Sequence, residues 1–398
     1  MRSLIAATVF PDKYHPTMAP WSKREVDSLV KYTDIEVEVI SPKPFSIPIK
    51  GIPFHEFGLL PKYTISELNY KIHYPRYFYF LPKSLLFSTT GTSYSFFISK
   101  YISKNIQKPD VIHARFGYLD GYGVLKTCKK NNIPLVFDIH GGKDFGEFNT
   151  KFGIKYKHRK TIDYTSKFFC VAEWQIDEGK KLGIPDEKLI CVPLGIDIDK
   201  FNPRNKNDLR KEYNIDKDFV FIFVGNLIPR KGVNYLIEAI SKIDEKLLKN
   251  AGFFIVGDGS DRDTLEKMVN NLELKDFITF LGRIDEDDLL NWYSLSDIFI
   301  LPSLAEGRPT VINEAMACEC GVIATNVSGN PEQVIEAYNG TLIDAKSSDQ
   351  IAERITSLLQ NPDIIKKFIR NSRKSIIERG LTWDHYAKTI EEIYKEIL

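Results

Sequence analysis

Two carboxylates, Glu306 and Glu314, carry the most legible chemistry in this chain, within the stretch Ala305-Glu-Gly-Arg-Pro-Thr-Val-Ile-Asn-Glu314-Ala-Met-Ala317. Upstream, Asp297-Ile-Phe-Ile-Leu-Pro302 reads as a buried strand. Pro309 suits the first turn of a helix, where its missing N–H has no partner to lose. A helix starting near residue 309 leaves Glu306 in the strand-to-helix loop with Gly307 and Arg308. Glu314 then lies about five residues into the helix, roughly 8 Å further along. Between them, the first-turn N–H groups, from Thr310 onward, and the positive end of the helix dipole form an anion site. A diphosphate can sit there while one carboxylate reaches hydroxyls on either side, which is the layout of a sugar nucleotide.

Arg230 and Lys231 follow the apolar run Phe219-Val-Phe-Ile-Phe-Val224 and precede the helical pattern Gly232-Val-Asn-Tyr-Leu-Ile-Glu-Ala-Ile240. Both cations therefore fall at the carboxyl end of a strand. There they can stabilise the charge that develops on a departing β-phosphate. The bland alternative is a solvated charged turn. Two carboxylates also define glycoside hydrolysis, but a sheet-end acid beside phosphate-loop cations fits a nucleotide donor better. His140, in Asp138-Ile-His-Gly-Gly142, lies just past a strand and before a turn that lets backbone approach a ligand. His113 and Arg115, after the strand 110–114, and His15, in the first loop, are candidates for acceptor contacts, with His113 expected to be partly structural.

The elements that must position these residues are strands separated by helical-length amphipathic stretches. Apolar runs fall at 3–10, 35–40, 110–114, 133–137, 167–172 and 188–192. They recur more regularly at 219–224, 252–256, 278–281, 298–301, 322–324 and 341–343. That rhythm is the signature of parallel sheets wrapped by helices, and uniformly apolar strands are buried on both faces. Ligands of such sheets gather at the carboxyl ends of the strands. Pro193-Leu-Gly-Ile-Asp197, followed by polar 202–208, reads as a linker. The expected fold class is α/β, with two Rossmann-like doubly wound domains facing across a cleft. The expected boundaries are 1–193 and 194–381. Residues 382–398 form an amphipathic helix with Thr382 as its N-cap.

At 398 residues the chain is long enough for two cores, and 43% hydrophobic with 27% charged residues is a globular composition. With Lys+Arg 54 against Asp+Glu 53 the formal charge is +1, so no global field draws the chain to nucleic acid. Five cysteines without C-x-x-C spacing imply a reduced, cytoplasmic protein. Cys318-Glu-Cys320 lacks the histidines of a zinc site, so no metal is expected. The N-terminal apolar run reads as a first strand rather than a signal or a span. Residues 68–101 mix aromatic and basic side chains, including Tyr70-Lys-Ile-His-Tyr-Pro-Arg-Tyr-Phe-Tyr-Phe80. They read either as a peripheral contact with the inner face of a membrane or a lipid-linked acceptor, or as an irregular core helix.

The E-x7-E pattern, with Glu314-Ala-Met-Ala317 and Gly321-Val-Ile-Ala-Thr325 behind it, resembles the retaining glycosyltransferases of family four, group 1, with GT-B architecture. Val224-Gly-Asn-Leu-Ile-Pro-Arg230-Lys231-Gly232 resembles the family's donor-phosphate loop, Gly257-Asp-Gly259 its next strand end, and Phe280-Leu-Gly-Arg283 its nucleobase-side turn. Ile112-His-Ala-Arg115 and Phe137-Asp-Ile-His140 are similar to acceptor-domain segments of enzymes that build bacterial surface polysaccharides. The likeness is strong from about 190 to 345 and weaker before that.

The resemblance implies a metal-independent, cofactor-free transfer, with retention, from a UDP- or GDP-sugar to a hydroxyl of a glycan or polyprenyl-linked glycan. It places Gly225, Arg230, Lys231, Gly257, Arg283 and the 306–310 loop at the donor, with Glu314 on the ribose and Glu306 on a sugar hydroxyl. It sets His140 near the sugar's 6-hydroxyl and returns the C-terminal helix to the first domain. No residue stands out as a covalent nucleophile, so front-side attack, with the leaving phosphate taking the acceptor proton, is the implied mechanism. The chain departs from the family in two places. The usual lysine some five residues after Arg230 is missing, Lys231 being adjacent instead, and no glycine occurs in residues 1–50 to bring the first loop onto a phosphate. Two alternatives stay open: a sugar-nucleotide epimerase, since some share this two-domain shape, and a catalytically silent binding subunit, to which the two departures point.

Overall fold

The structure, a computed structural model, describes residues 1–79, 87–115, 117–139 and 153–398. The chain forms two compact units, Met1–Leu194 with Trp383–Leu398, and Gly195–Thr382.

In the first unit the strands are β1 (Arg2–Ala6), β2 (Glu36–Ile40), β3 (Lys43–Pro44), β4 (Tyr63–Ile65), β5 (Lys71–His73), β6 (Arg76–Tyr77), β7 (Val111–Ala114), β8 (Leu135–Ile139), β9 (Lys167–Cys170) and β10 (Leu189–Cys191). Among the described residues the main sheet runs β10-β9-β8-β7-β1-β2-β5-β4, and the short pair β3-β6 stands apart. Every pairing in the main sheet is parallel except β4 with β5.

Successive side chains of β1 enter different cores. Ile5 packs in one cluster with Val26, Leu29 and Ile390, while Leu4 and Ala6 pack in the other with Tyr94, Ile98 and Val124. Period-two alternation with both faces covered is why the strand reads as continuously apolar. The strand is shorter than the apolar run 3–10 suggested. Past Ala6 the chain turns away, and the Thr8 N–H donates to the Asp120 carboxylate at 2.9 Å.

The second unit holds β11 (Phe219–Val224), β12 (Ala251–Val256), β13 (Ile278–Gly282), β14 (Ile298–Leu301), β15 (Gly321–Thr325) and β16 (Gly340–Ile343). The order is β13-β12-β11-β14-β15-β16, parallel throughout. The chain builds outward from β11 in one direction, then returns to β11 and builds outward in the other. The strand order therefore reverses between β11 and β14, the place where a doubly wound sheet opens a crevice at its carboxyl edge.

The last helix, Trp383–Ile397, carries Trp383, Tyr386, Ala387, Ile390 and Tyr394 on one face. This i, i+3, i+4 stripe packs into the first unit's core against the Pro20–Tyr32 helix.

Candidate functional site

Above the switch point, β11 leads into Gly225-Asn-Leu-Ile-Pro-Arg-Lys-Gly232 and β14 leads into Pro302-Ser-Leu-Ala-Glu-Gly-Arg-Pro309. The two loops are stitched together. The Leu304 N–H donates to the Arg230 carbonyl at 2.8 Å, and the Arg230 guanidinium reaches back to the Ala305 carbonyl. The carboxylate of Glu306 then faces both cations, with Lys231 Nζ 2.6 Å from Oε1 and Arg230 Nη1 3.2 Å from Oε2. The Glu306 and Lys231 side chains are only 7% and 11% exposed, while that of Arg230 is 47% exposed. A pair shielded to that degree interacts far more strongly than one in bulk water. The cluster, two cations on one carboxylate, keeps one positive charge beside a helix start.

Backbone at this edge is packed closely enough to exclude side chains. Gly257, after β12, has φ +128°, and a Cβ there would lie 1.9 Å from the Gly225 carbonyl oxygen. Gly232 has φ +67°, with its Cβ position 2.1 Å from the Pro302 carbonyl oxygen. Only glycine fits either place. Together they let the β11, β12 and β14 loops converge.

The helix after β14 spans Thr310–Ala317, with Pro309 as its N-cap in extended backbone. Pro309 thus precedes the first helical residue instead of occupying it, a shift of one position from the sequence reading. Glu314 is the fifth residue of that helix, nearly buried, and accepts a hydrogen bond from the Tyr293 hydroxyl at 3.4 Å. Arg308 is turned to Glu332, with Nη1 2.7 Å from Oε2. Arg283, past β13, is exposed. Its neighbour Gly282 accepts from the Gly257 N–H at 2.7 Å, so Arg283 sits beside the same edge.

Sequence reasoning missed the loop beneath these residues. After β15, the Ser328 hydroxyl accepts from the Glu306 N–H at 3.3 Å, and the Gly329 N–H donates to the Gly307 carbonyl at 3.0 Å. Gln333 donates to the Pro309 carbonyl at 3.0 Å and to Asn313 at 2.8 Å, and Asn330 donates to the Thr325 carbonyl at 3.0 Å. The turn-rich run Asn326-Val-Ser-Gly-Asn-Pro331 directly after an apolar strand was the available signal.

In the first unit the structure corrects the acceptor-side expectation for His113 and Arg115. Both are fully enclosed. His113 lies 2.6 Å from the Tyr394 hydroxyl through Nδ1 and 2.7 Å from Asp138 through Nε2. Arg115 bridges Glu25 and Asp138. The cluster fastens β7 and β8 to the Pro20–Tyr32 helix and the C-terminal helix, so these residues hold the fold. His15 lies in the first loop, partly exposed, with Nδ1 3.1 Å from Asp12. Asp12 replaces the missing glycines as the organiser of that loop, accepting from the Tyr14 and His15 N–H groups at 3.0 Å each and pairing with Lys43 at 3.0 Å. Burial pushes its carboxyl up, but the Lys43 ammonium and these hydrogen bonds outweigh it and hold Asp12 below the usual carboxylate range. His140 and the following Gly-Gly turn lie outside the described residues. Cys318 and Cys320 are buried free thiols in the second unit's core, and Cys320 Sγ is 3.0 Å from the Tyr293 carbonyl.

Comparison with known proteins covers both units. The family described as Glycosyltransferase Family 4 matches residues 29–200, and that described as Glycosyl transferases group 1 matches residues 205–375. An uncharacterised glycosyltransferase of Methanocaldococcus jannaschii is 30% identical over 313 residues, 76% of this chain and 81% of that one. The UDP-Gal:alpha-D-GlcNAc-diphosphoundecaprenol alpha-1,3-galactosyltransferase of Escherichia coli is 32% identical over 310 residues, 76% of this chain and 79% of that one. Among solved structures, sucrose-phosphate synthase from Thermosynechococcus elongatus superposes with a TM-score of 0.77 at 18% identity, covering 100% of this chain and 98% of that one.

Proposed function

This chain belongs to the family 4, group 1 glycosyltransferases, and from that premise we propose that it moves a sugar, with retention and without a metal or cofactor, from a nucleoside diphosphate to a glycan hydroxyl. The observation that carries this reading is the Glu306 carboxylate held between Lys231 and Arg230 at the switch point of the second unit. The donor's diphosphate takes up the two cations and the first-turn N–H groups of the Thr310–Ala317 helix. Glu306 keeps lone pairs for a sugar hydroxyl, and Glu314 takes the ribose.

During transfer the bond from the anomeric carbon to the β-phosphate oxygen breaks as the acceptor oxygen bonds to that carbon on the same face. The acceptor's proton passes to the leaving phosphate. Arg230 and Lys231 stabilise the charge that this departure develops. His140 completes the sugar pocket in this reading, and the first unit binds the acceptor. The relative that acts on a diphosphoundecaprenol-linked sugar supports a polyprenyl-linked acceptor in surface-glycan synthesis. With it goes peripheral membrane contact through residues 68–101.

The test is nucleoside diphosphate release from UDP-, GDP- and ADP-sugars in EDTA, with glycan and polyprenyl-linked acceptors. Release from one donor that rises with acceptor is expected. A donor converted to another sugar would instead identify an epimerase, and a donor bound but never cleaved a silent subunit.

A further inference from the structure

Two helices of the first unit, Phe87–Asn105 and Tyr122–Asn131, pack side by side and leave between them a cavity of about 660 Å³. Lys100, Lys108, Lys126 and Lys130 line it, with no aspartate or glutamate among the lining residues. All four lysines are exposed, and among the described residues none has an ion-pair partner. Its apolar lining is Ile102 and Ile133, both buried, and the partly buried Ile106, with exposed Phe96 beside them. Four ammonium groups around one groove repel one another, and an anion seated among them removes that repulsion.

Phe96 joins this groove to a second feature. It is 52% exposed, and Lys126 Nζ stands 5.9 Å from its ring centroid. From Phe96 a chain of ring contacts runs through Phe97 at 5.3 Å and Phe78 at 5.5 Å to Phe45 at 5.9 Å. Phe78 and Phe45 are 54% and 61% exposed, and Ile47, Ile49 and Ile52 follow Phe45 with their side chains in solvent. Single exposed apolar side chains are ordinary; a continuous run of them bordered by lysines marks a contact surface.

We propose that this face binds the anionic phosphate headgroups of a membrane surface, the lysine groove taking a headgroup phosphate and the Phe45–Phe78–Phe96 ridge entering the acyl boundary. The inference rests on the peripheral-membrane reading above and locates it. Lys108 and Pro109 precede β7 and Ile133 precedes β8, so the groove lies at the amino ends of those strands, away from the carboxyl edge where ligands of such sheets gather, while Phe45 and Phe78 follow the carboxyl ends of β3 and β6. No helix of the described residues is long and apolar enough to cross a membrane, and the contact proposed here needs none. Aliphatic Ile47, Ile49 and Ile52 beside the aromatic rings favour hydrocarbon over stacked bases.

The test is co-sedimentation of the full chain with vesicles of phosphatidylcholine alone or mixed with phosphatidylglycerol. The wild-type chain is expected to bind only the mixed vesicles. Lys100→Glu with Lys130→Glu is expected to weaken that binding about tenfold or more, since each lysine near an anionic surface is worth about fivefold. Phe78→Ser with Phe96→Ser weakens it as well. The control Lys267→Glu with Lys275→Glu makes the same change of charge on exposed lysines of the second unit and is expected to cost less than about twofold. Equal losses from groove and control pairs, or none from the groove pair, would overturn this site while leaving the membrane reading standing. Wild-type chain that binds neither vesicle sinks the membrane reading itself. Binding to single-stranded oligonucleotide that outcompetes the mixed vesicles would give the groove to nucleic acid instead.

Discussion

Lys231 Nζ stands 2.6 Å from Oε1 of Glu306, although 75 residues separate them in the chain. The contact joins the loops that follow two adjacent strands of one sheet, and it sets Lys231 beside Arg230 on a single carboxylate. In the described state Glu306 occupies the cations that a diphosphate would claim, so carboxylate and diphosphate compete for the same positive charge.

That competition gives Glu306→Gln a divided outcome. Turnover is expected to fall by about 10²- to 10³-fold, because the sugar loses a charged hydrogen-bond acceptor. Nucleoside diphosphate itself is expected to bind as tightly as before or tighter, since the competing charge is gone. Steady-state rates and calorimetric titration with the diphosphate check the two halves. A weakened diphosphate would contradict the arrangement.

Lys231 and Arg230 differ in what their removal leaves behind. Lys231→Ala strands a nearly buried carboxylate and is expected to cost about 1–3 kcal/mol of stability in addition to donor affinity. Arg230→Ala removes the more exposed partner, and its stability cost is expected to stay below about 1 kcal/mol. Urea unfolding of both variants beside donor titration separates the effects.

His113→Ala tests the structural assignment in the first unit. It leaves a buried Asp138 oxygen and the Tyr394 hydroxyl without their imidazole partner, at an expected cost of about 2–4 kcal/mol. The KM for acceptor, measured well below the melting transition, is expected to stay within about twofold of wild type, because the ring touches no solvent. A large rise in that KM with unchanged stability would return His113 to the acceptor site.

His158 predicts a pH window. Burial lowers its pKa from 6.5 to about 4, so the folded chain holds it neutral where the unfolded chain is already protonated. Its stabilising share is complete above about pH 6.5 and is lost as the pH falls toward 4, by roughly 3 kcal/mol in all. Urea midpoints at pH 7 and pH 4.5 should therefore converge in His158→Phe relative to wild type. Carboxylates such as Asp12, held low by their partners, add their own loss only at still lower pH.

How far the site was legible follows from what each residue depends on. Glu306, Glu314 and the helix between them depend on local order, an apolar strand followed by a proline and a helical pattern, and the sequence shows both. Pro309 moved by one position, within the one or two residues by which helix ends are ambiguous, and its φ of −70° fits the extended N-cap that it takes. His113 and Arg115 were misread for a different reason. A polar residue at the end of a strand looks the same whether it faces a ligand or a buried carboxylate, and Glu25, Asp138 and Tyr394 come from distant segments.

By itself the sequence determined two doubly wound α/β units, the strand-to-helix loops that carry Arg230, Lys231 and Glu306, and the amphipathic last helix. Each of these is written in hydrophobic period, in glycines where backbone crowds backbone, and in charges next to strand ends. Only the tertiary structure decided that β11 and β14 are neighbours, that Lys231 meets Glu306 there, that Ser328 and Gly329 bond to the Glu306 loop, and that three lysines from two helices and a fourth from the loop before β7 share one groove. Strand order and helix pairing are contacts between remote segments, selected by which surfaces bury together, and no local pattern along the chain encodes them.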